Sequence, residues 1–142
     1  MTGDRVNVQE TLSQLGWFQG RSDDHVEDWG RRLSENGGFA MHSAARSFLQ
    51  EFGGLSLGEH TSRTGVKSLV FNIDPTVAIW ETDRFEEASR EVGDKLYPVG
   101  EAVNGQEFIA IGERGDVYLV MDMVHHIATT AWGAFERLIS HG

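Results

Sequence analysis

An α+β fold, with N-terminal helices and a C-terminal helix packed on a largely antiparallel or mixed sheet, follows from three features of the chain. The first third carries apolar residues at helical spacing, the last third alternates apolar and polar residues between tight-turn signals, and one more helical stretch closes the sequence. Its 142 residues suit a single domain over 1–142, and folding at this size removes about two thirds of the unfolded surface from water. With 39% hydrophobic and 24% charged residues and only two prolines, the composition is that of a globular protein rather than a disordered one. Seventeen glycines exceed the usual share, and several sit where a helix must stop or a hairpin must turn.

Asn7-Val-Gln-Glu10 has capping-box spacing, and Val8, Leu12 and Leu15 share a face, which predicts a helix over 7–15 ended by Gly16. Behind the acidic run Ser22–Asp28, the residues Val26, Trp29 and Leu33 predict a second helix within Gly20–Gly38. A third follows from Ala44, Ala45, Phe48, Leu49 and Phe52, with Ser43 as its cap, Gly53-Gly54 as its stop and a strand starting over Leu55–Leu57. Leu69, Phe71 and Ile73 alternate in a strand that Asp74-Pro75 terminates. Residues 75–81 fit either a helical turn opened by Pro75 or a strand through Val77, Ile79 and Trp80. Asp83-Arg-Phe-Glu86 repeats the capping box, with Phe85, Ala88 and Val92 on one face and Gly93 as the stop. Tyr97–Val103, Gln106–Gly112 and Asp116–Asp122 form a meander, turned by a two-residue Asn104-Gly105 hairpin and by Glu113-Arg114-Gly115. The closing helix, 130–140, presents Trp132, Phe135, Leu138 and Ile139 to that sheet.

The absence of cysteine removes disulfides, thiolate metal sites and cysteine nucleophiles, and makes a reducing compartment, the cytoplasm, the expected home. No basic-then-apolar leader opens the chain, and no apolar run approaches the ~20 residues of a membrane span. The net charge is −10, and no Lys/Arg cluster exceeds the Arg31-Arg32 pair, so the basic footprint that grips a phosphate backbone is missing. An acidic surface repels nucleic acid and attracts basic proteins.

Gly54-Leu-Ser56-Leu-Gly58 satisfies the letters of a serine hydrolase nucleophile elbow. That elbow needs a strand before the serine and a helix after it, whereas a helix precedes Ser56 and Glu59–Gly65 offers no apolar helical face. A small serine or carboxylate hydrolase is accordingly the weakest of the functional readings. His125 and His126 leave opposite faces if they continue a strand, Asp122 with His125 lacks a third ligand, and the segment reads as a polar turn. Glu101, Glu113 and Asp116 read as solvated turn carboxylates. No phosphate-binding glycine loop is present, and neither a metal nor a cofactor is expected. Trp17, Trp29, Trp80 and Trp132 read as packing residues, with Trp29, just behind the acidic run, also placed to anchor a partner.

Leu15-Gly-Trp17 followed by Arg21, then Phe48-Leu-Gln-Glu-Phe-Gly-Gly-Leu55, then Leu96-Tyr-Pro-Val-Gly-Glu101, then Ile109-Ala-Ile-Gly-Glu-Arg-Gly-Asp-Val-Tyr118, taken in this order, resemble the SUKH superfamily, and within it the third SUKH immunity family. The resemblance spans nearly the whole chain. It implies an α+β domain without catalytic residues: a cytoplasmic immunity protein of a bacterial polymorphic toxin system, which binds and neutralises a cognate toxin domain, frequently a nuclease. Superfamily relatives that act as intracellular scaffolds supply the alternative. A basic toxin would meet carboxylates, so two candidate surfaces follow: Asp23, Asp24, Glu27 and Asp28 with Trp29 behind them, and Glu81, Asp83, Glu86 and Glu87. Both also lie at helix starts, where acidic side chains favour the helix dipole without any partner.

Overall fold

The computed structural model describes residues 7–58 and 69–140; Glu59–Gly65, read above as lacking a helical face, lies outside them. Helix α1 (Val8–Gln14) is capped as its spacing predicts, with Asn7 Oδ1 accepting the Glu10 N–H at 3.0 Å. Helix α2 (Val26–Gly37) buries Val26, Trp29 and Leu33 and ends at Gly38, whose φ of 72° is the left-handed conformation glycine adopts at no steric cost. Helix α3 (Ser43–Phe52) buries Ala45, Phe48, Leu49 and Phe52.

The cap of α3 falls one residue ahead of the expected Ser43. His42 is extended there, and its Nδ1 accepts the Ala45 N–H at 3.1 Å. An acceptor at Nδ1 leaves the proton on Nε2, which lies 3.1 Å and 3.2 Å from the carbonyl oxygens of Lys95 and Ile111. One imidazole therefore starts a helix and ties it to the sheet.

After β1 (Ser56–Gly58) and β2 (Leu69–Asn72), Pro75 opens a 3₁₀ turn, Pro75–Ala78, which resolves the ambiguity of residues 75–81. The Asp74 carboxylate holds that turn by accepting the Thr76 N–H at 2.9 Å and the Thr76 hydroxyl at 2.6 Å. Helix α4 (Thr82–Val92) starts ahead of the expected Asp83–Glu86 capping box: Glu81 at its N-cap makes no side-chain cap bond. Thr82 Oγ1 instead donates to the Gly37 carbonyl at 2.7 Å, fixing the start of α4 to the end of α2.

Strands β3 (Tyr97–Ala102), β4 (Glu107–Ile111), β5 (Val117–Val120) and β6 (Val124–Ala128) follow, and helix α5 (Ala131–Ser140) ends the description. The six described strands lie in sequence order in one sheet, and every neighbouring pair is antiparallel, so the sheet is a continuous meander and not a mixed one. The β3–β4 turn is centred on Val103-Asn104, with φ of 54° and 59°, one residue ahead of the expected Asn104-Gly105. The Gly105 N–H closes it on the Ala102 carbonyl at 3.1 Å, and a valine at positive φ makes it a strained turn. The expected polar turn at His125-His126 is β6 itself, an edge strand in which both adjacent histidines are exposed while Val124, Ile127 and Ala128 are half-buried against the core, so its burial does not alternate.

Phenylalanines join the layers. Phe135 of α5 packs on Phe48 and Phe52 of α3 and on Phe71 of β2, with ring centroids 5.8, 4.9 and 5.1 Å away. Phe85 of α4 meets Phe39 at 5.8 Å and Phe108 of β4 at 5.9 Å. Consecutive residues 97–100 and 109–112 are buried, and since neighbours in a strand face opposite ways, both faces of the sheet are covered there. At Gly100 a Cβ would stand 2.2 Å from the Asn72 carbonyl oxygen, so the approach of β2 to β3 requires glycine.

Candidate partner-binding surfaces

Ser56 lies in β1, an edge strand of an antiparallel sheet, entered from α3 through Gly53-Gly54. Its hydroxyl donates to the Phe71 carbonyl at 3.4 Å, which ties it to the neighbouring strand. Helix before and antiparallel strand at the serine is the reverse of a nucleophile elbow. Among the described residues no group of three or more His, Asp or Glu side chains is placed to hold a metal ion, and no helix is long and apolar enough to cross a membrane. His126 Nε2 lies 2.9 Å from Asp116 Oδ1, so the histidine pair of β6 is split, one ring bound to a turn carboxylate and His125 exposed.

The first predicted surface is only partly a surface. The Asp23 side chain is 7% exposed; it accepts the His25 N–H at 2.6 Å, meets the His25 ring at 2.7 Å and lies 3.3 Å from Arg21 Nη2. Arg21 also donates to the Glu51 and Gly53 carbonyls, at 2.9 and 2.6 Å, satisfying main-chain acceptors at the end of α3 that the helix leaves unpaired. Asp23 therefore belongs to a clasp between the entry of α2 and the exit of α3. Trp29 is buried rather than poised at a rim: its indole occupies the space a Cβ on Gly53 would need, and the His25 ring stacks over it at 5.6 Å. Asp24, Glu27 and Asp28 remain exposed. Two of these are paired, Glu27 with Arg46 and Asp28 with Arg31 and Arg32.

The second surface is a groove of ≈ 370 Å³ between α4 and the β5–β6 turn, lined on the helix side by Glu81, Asp83, Glu87 and Glu91. Glu86 is not with them; it lines a separate cleft beside Phe39 and Tyr97. Arg84 crosses the groove, donating from Nε to Glu81 Oε1 at 2.9 Å and from Nη1 to the Met121 carbonyl at 2.7 Å, with Asp122 at 3.6 Å. The hydrogen bond to Glu81 does most to hold its pKa above the ordinary arginine value; burial opposes it, and the charges of Glu81 and Asp122 add to the rise. Among the described residues no cation pairs with Asp83, Glu87 or Glu91. Trp80, expected to be packed, is 75% exposed at the groove's end, and Met123 in the adjoining turn is 64% exposed.

The SUKH-3 immunity protein family model matches residues 5–141. The chain belongs to the SUKH-3 immunity protein family. Membership implies a toxin-neutralising role. No curated protein and no solved structure matches the chain significantly.

Within this SUKH-3 chain, the motifs that carry the resemblance meet in space. Trp17 Nε1 donates to Glu51 Oε2 at 3.1 Å, next to the Arg21 bonds, so the Gly-Trp…Arg motif and the Glu-Phe-Gly-Gly motif are the two halves of one clasp. Sequence reasoning missed Trp80, Glu91 and Asp122. Glu91 was findable, since it continues the four-residue spacing of Asp83 and Glu87; Trp80 was hidden in the one stretch whose structure the sequence left open.

Proposed function

We propose that this SUKH-3 protein is an immunity protein acting in the bacterial cytoplasm: it binds a cognate toxin domain of basic surface, a nuclease, and blocks its active cleft without chemistry of its own. The observation that carries the reading is the net charge of −10 with a row of carboxylates on α4 that no cation among the described residues pairs. A nuclease cleft is basic because it must hold a phosphate backbone. An acidic protein is steered to such a cleft, and carboxylates seated over it occupy the place of the phosphates. The same charge keeps the immunity protein itself off nucleic acid.

The test is coexpression of the chain with the toxin domain encoded beside it, scored by survival and by copurification, with the association rate followed against salt. Survival, a stable complex and an on-rate that falls steeply between low and physiological salt are expected. Cells that die despite soluble expression would overturn the reading, and a complex with a host protein instead would place the chain with the scaffold relatives.

A further inference from the structure

We infer that the groove between α4 and the β5–β6 turn seats a basic segment of the partner protein, with one lysine or arginine against the Trp80 indole and others along α4; this deepens the immunity reading and rests on it. Trp80 and Met123 leave large apolar surfaces in water, 75% and 64% exposed, beside a formed groove. Aromatic residues and methionine are the types enriched where interfaces close, and an exposed indole face attracts a cation.

Charge decides the occupant. Five carboxylates, Glu81, Asp83, Glu87, Glu91 and Asp122, line the groove with one guanidinium. Asp83, Glu87 and Glu91 stand at i, i+4 and i+8 of α4, one above the other on the same face. Like charges at that spacing destabilise a helix, and Glu91, in the last turn, also faces the negative end of the dipole. The helix-start explanation therefore covers Asp83 and fails for Glu87 and Glu91, which work against the stability of the free protein. Arg84 shows what the groove can hold: its guanidinium sits between Glu81 and the Met121 carbonyl, and the carboxylates beyond it have no such guest. The α2 surface lacks this surplus, because Arg46, Arg31 and Arg32 already pair with Glu27 and Asp28.

The test titrates a hexaarginine peptide into the full-length ¹⁵N-labelled chain at low salt. Shifts are expected at the Trp80 indole and at residues 81–91 and 121–124, with affinity falling about threefold for each carboxylate removed in Glu87→Gln/Glu91→Gln. That free variant should melt above the wild type, a sign opposite to any structural role for the two residues. Trp80→Ala should weaken the peptide by about three- to fivefold at an unchanged melting temperature. Shifts confined to Asp24–Asp28, undiminished binding by the variants, or a lowered melting temperature in Glu87→Gln/Glu91→Gln would overturn the proposal. With the toxin domain, capture by the wild type and equally by the combined variant Trp80→Ala/Glu87→Gln/Glu91→Gln would sink the groove and leave immunity standing. Failure of the wild type to capture it would sink the immunity reading, while the peptide shifts still judge the groove.

Discussion

Replacing Arg21 by alanine removes one side chain that serves three groups. Its guanidinium donates to the Glu51 carbonyl at 2.9 Å and the Gly53 carbonyl at 2.6 Å and lies 3.3 Å from the Asp23 carboxylate. Hydrogen bonds from a charged donor each contribute about 1.5–3 kcal/mol, and the lower end applies because the Arg21 side chain keeps 15% of its exposure. Asp23 loses its cation but retains its bonds from His25, which limits that part of the loss. The sum is about 3–4 kcal/mol out of a total stability of about 5–15 kcal/mol. At about 3 °C per kcal/mol for a chain of this size, the melting temperature should fall by about 10 °C.

Arg21→Lys keeps the charge but offers a single ammonium for two carbonyls, so it should recover about half of the loss. Urea and thermal unfolding followed by circular dichroism measure both variants. A loss below about 1 kcal/mol in Arg21→Ala, or a lysine variant as unstable as the alanine one, would show that the clasp does not depend on the fork of donors.

Three further outcomes follow at Tyr97, Gly100 and Ser56. Burial pushes the Tyr97 phenol well above its ordinary pKa, with Arg46 opposing, so the fold keeps a proton that the unfolded chain releases near pH 10. Stability should then be level with respect to this group below pH 10 and fall above it, by up to about 1.4 kcal/mol per pH unit. Tyr97→Phe should blunt that alkaline limb, and because the buried hydroxyl has no partner it should hold or raise stability at pH 7 by about 1 kcal/mol; a clear loss at pH 7 would refute the point. Gly100→Ala puts a methyl 2.2 Å from the Asn72 carbonyl oxygen and should cost about 2–3 kcal/mol by forcing β2 from β3; a urea midpoint matching wild type would contradict this. Ser56→Ala removes only a 3.4 Å hydrogen bond and should change stability by about 0.5 kcal/mol or less, leaving toxin protection intact; an ester-cleaving activity lost in the variant would restore the elbow reading.

Elements whose apolar residues recur on one face were legible, because burial imposes the period: Val26, Trp29 and Leu33 of α2, Phe48, Leu49 and Phe52 of α3, and Phe85 and Ala88 of α4 are all buried as their spacing predicts. What escaped was set by tertiary context. His42 caps α3 because its ring also reaches carbonyls of Lys95 and Ile111, contacts 53 and 69 residues away that no local rule contains. Strand β6 has no alternation to read, since Val124, Ile127 and Ala128 are half-buried around two adjacent exposed histidines. Trp29 and Trp80 are alike in composition, yet α2 turns the first inward while the second follows a 3₁₀ turn that ends the periodic run.

The same logic explains why the family could be read from the chain while the groove was read only in part, through Glu81, Asp83 and Glu87. The quoted motifs end at Leu55 and resume at Leu96, and their polar and glycine residues close the frame: Trp17 and Arg21 on the end of α3, Gly100 under Asn72, Gly112 under the buried Asp94. Each such residue is fixed by a hydrogen bond at the end of α3 or by a close approach that leaves no room for a Cβ. Trp80, Asp83, Glu87 and Glu91 all fall in the interval between the motifs, and none of them bonds to the clasp. Under the groove proposal, the like charges of this stripe are offset by the basic segment seated on them. The variant that gains stability when Glu87 and Glu91 are neutralised is then the one that should lose its toxin.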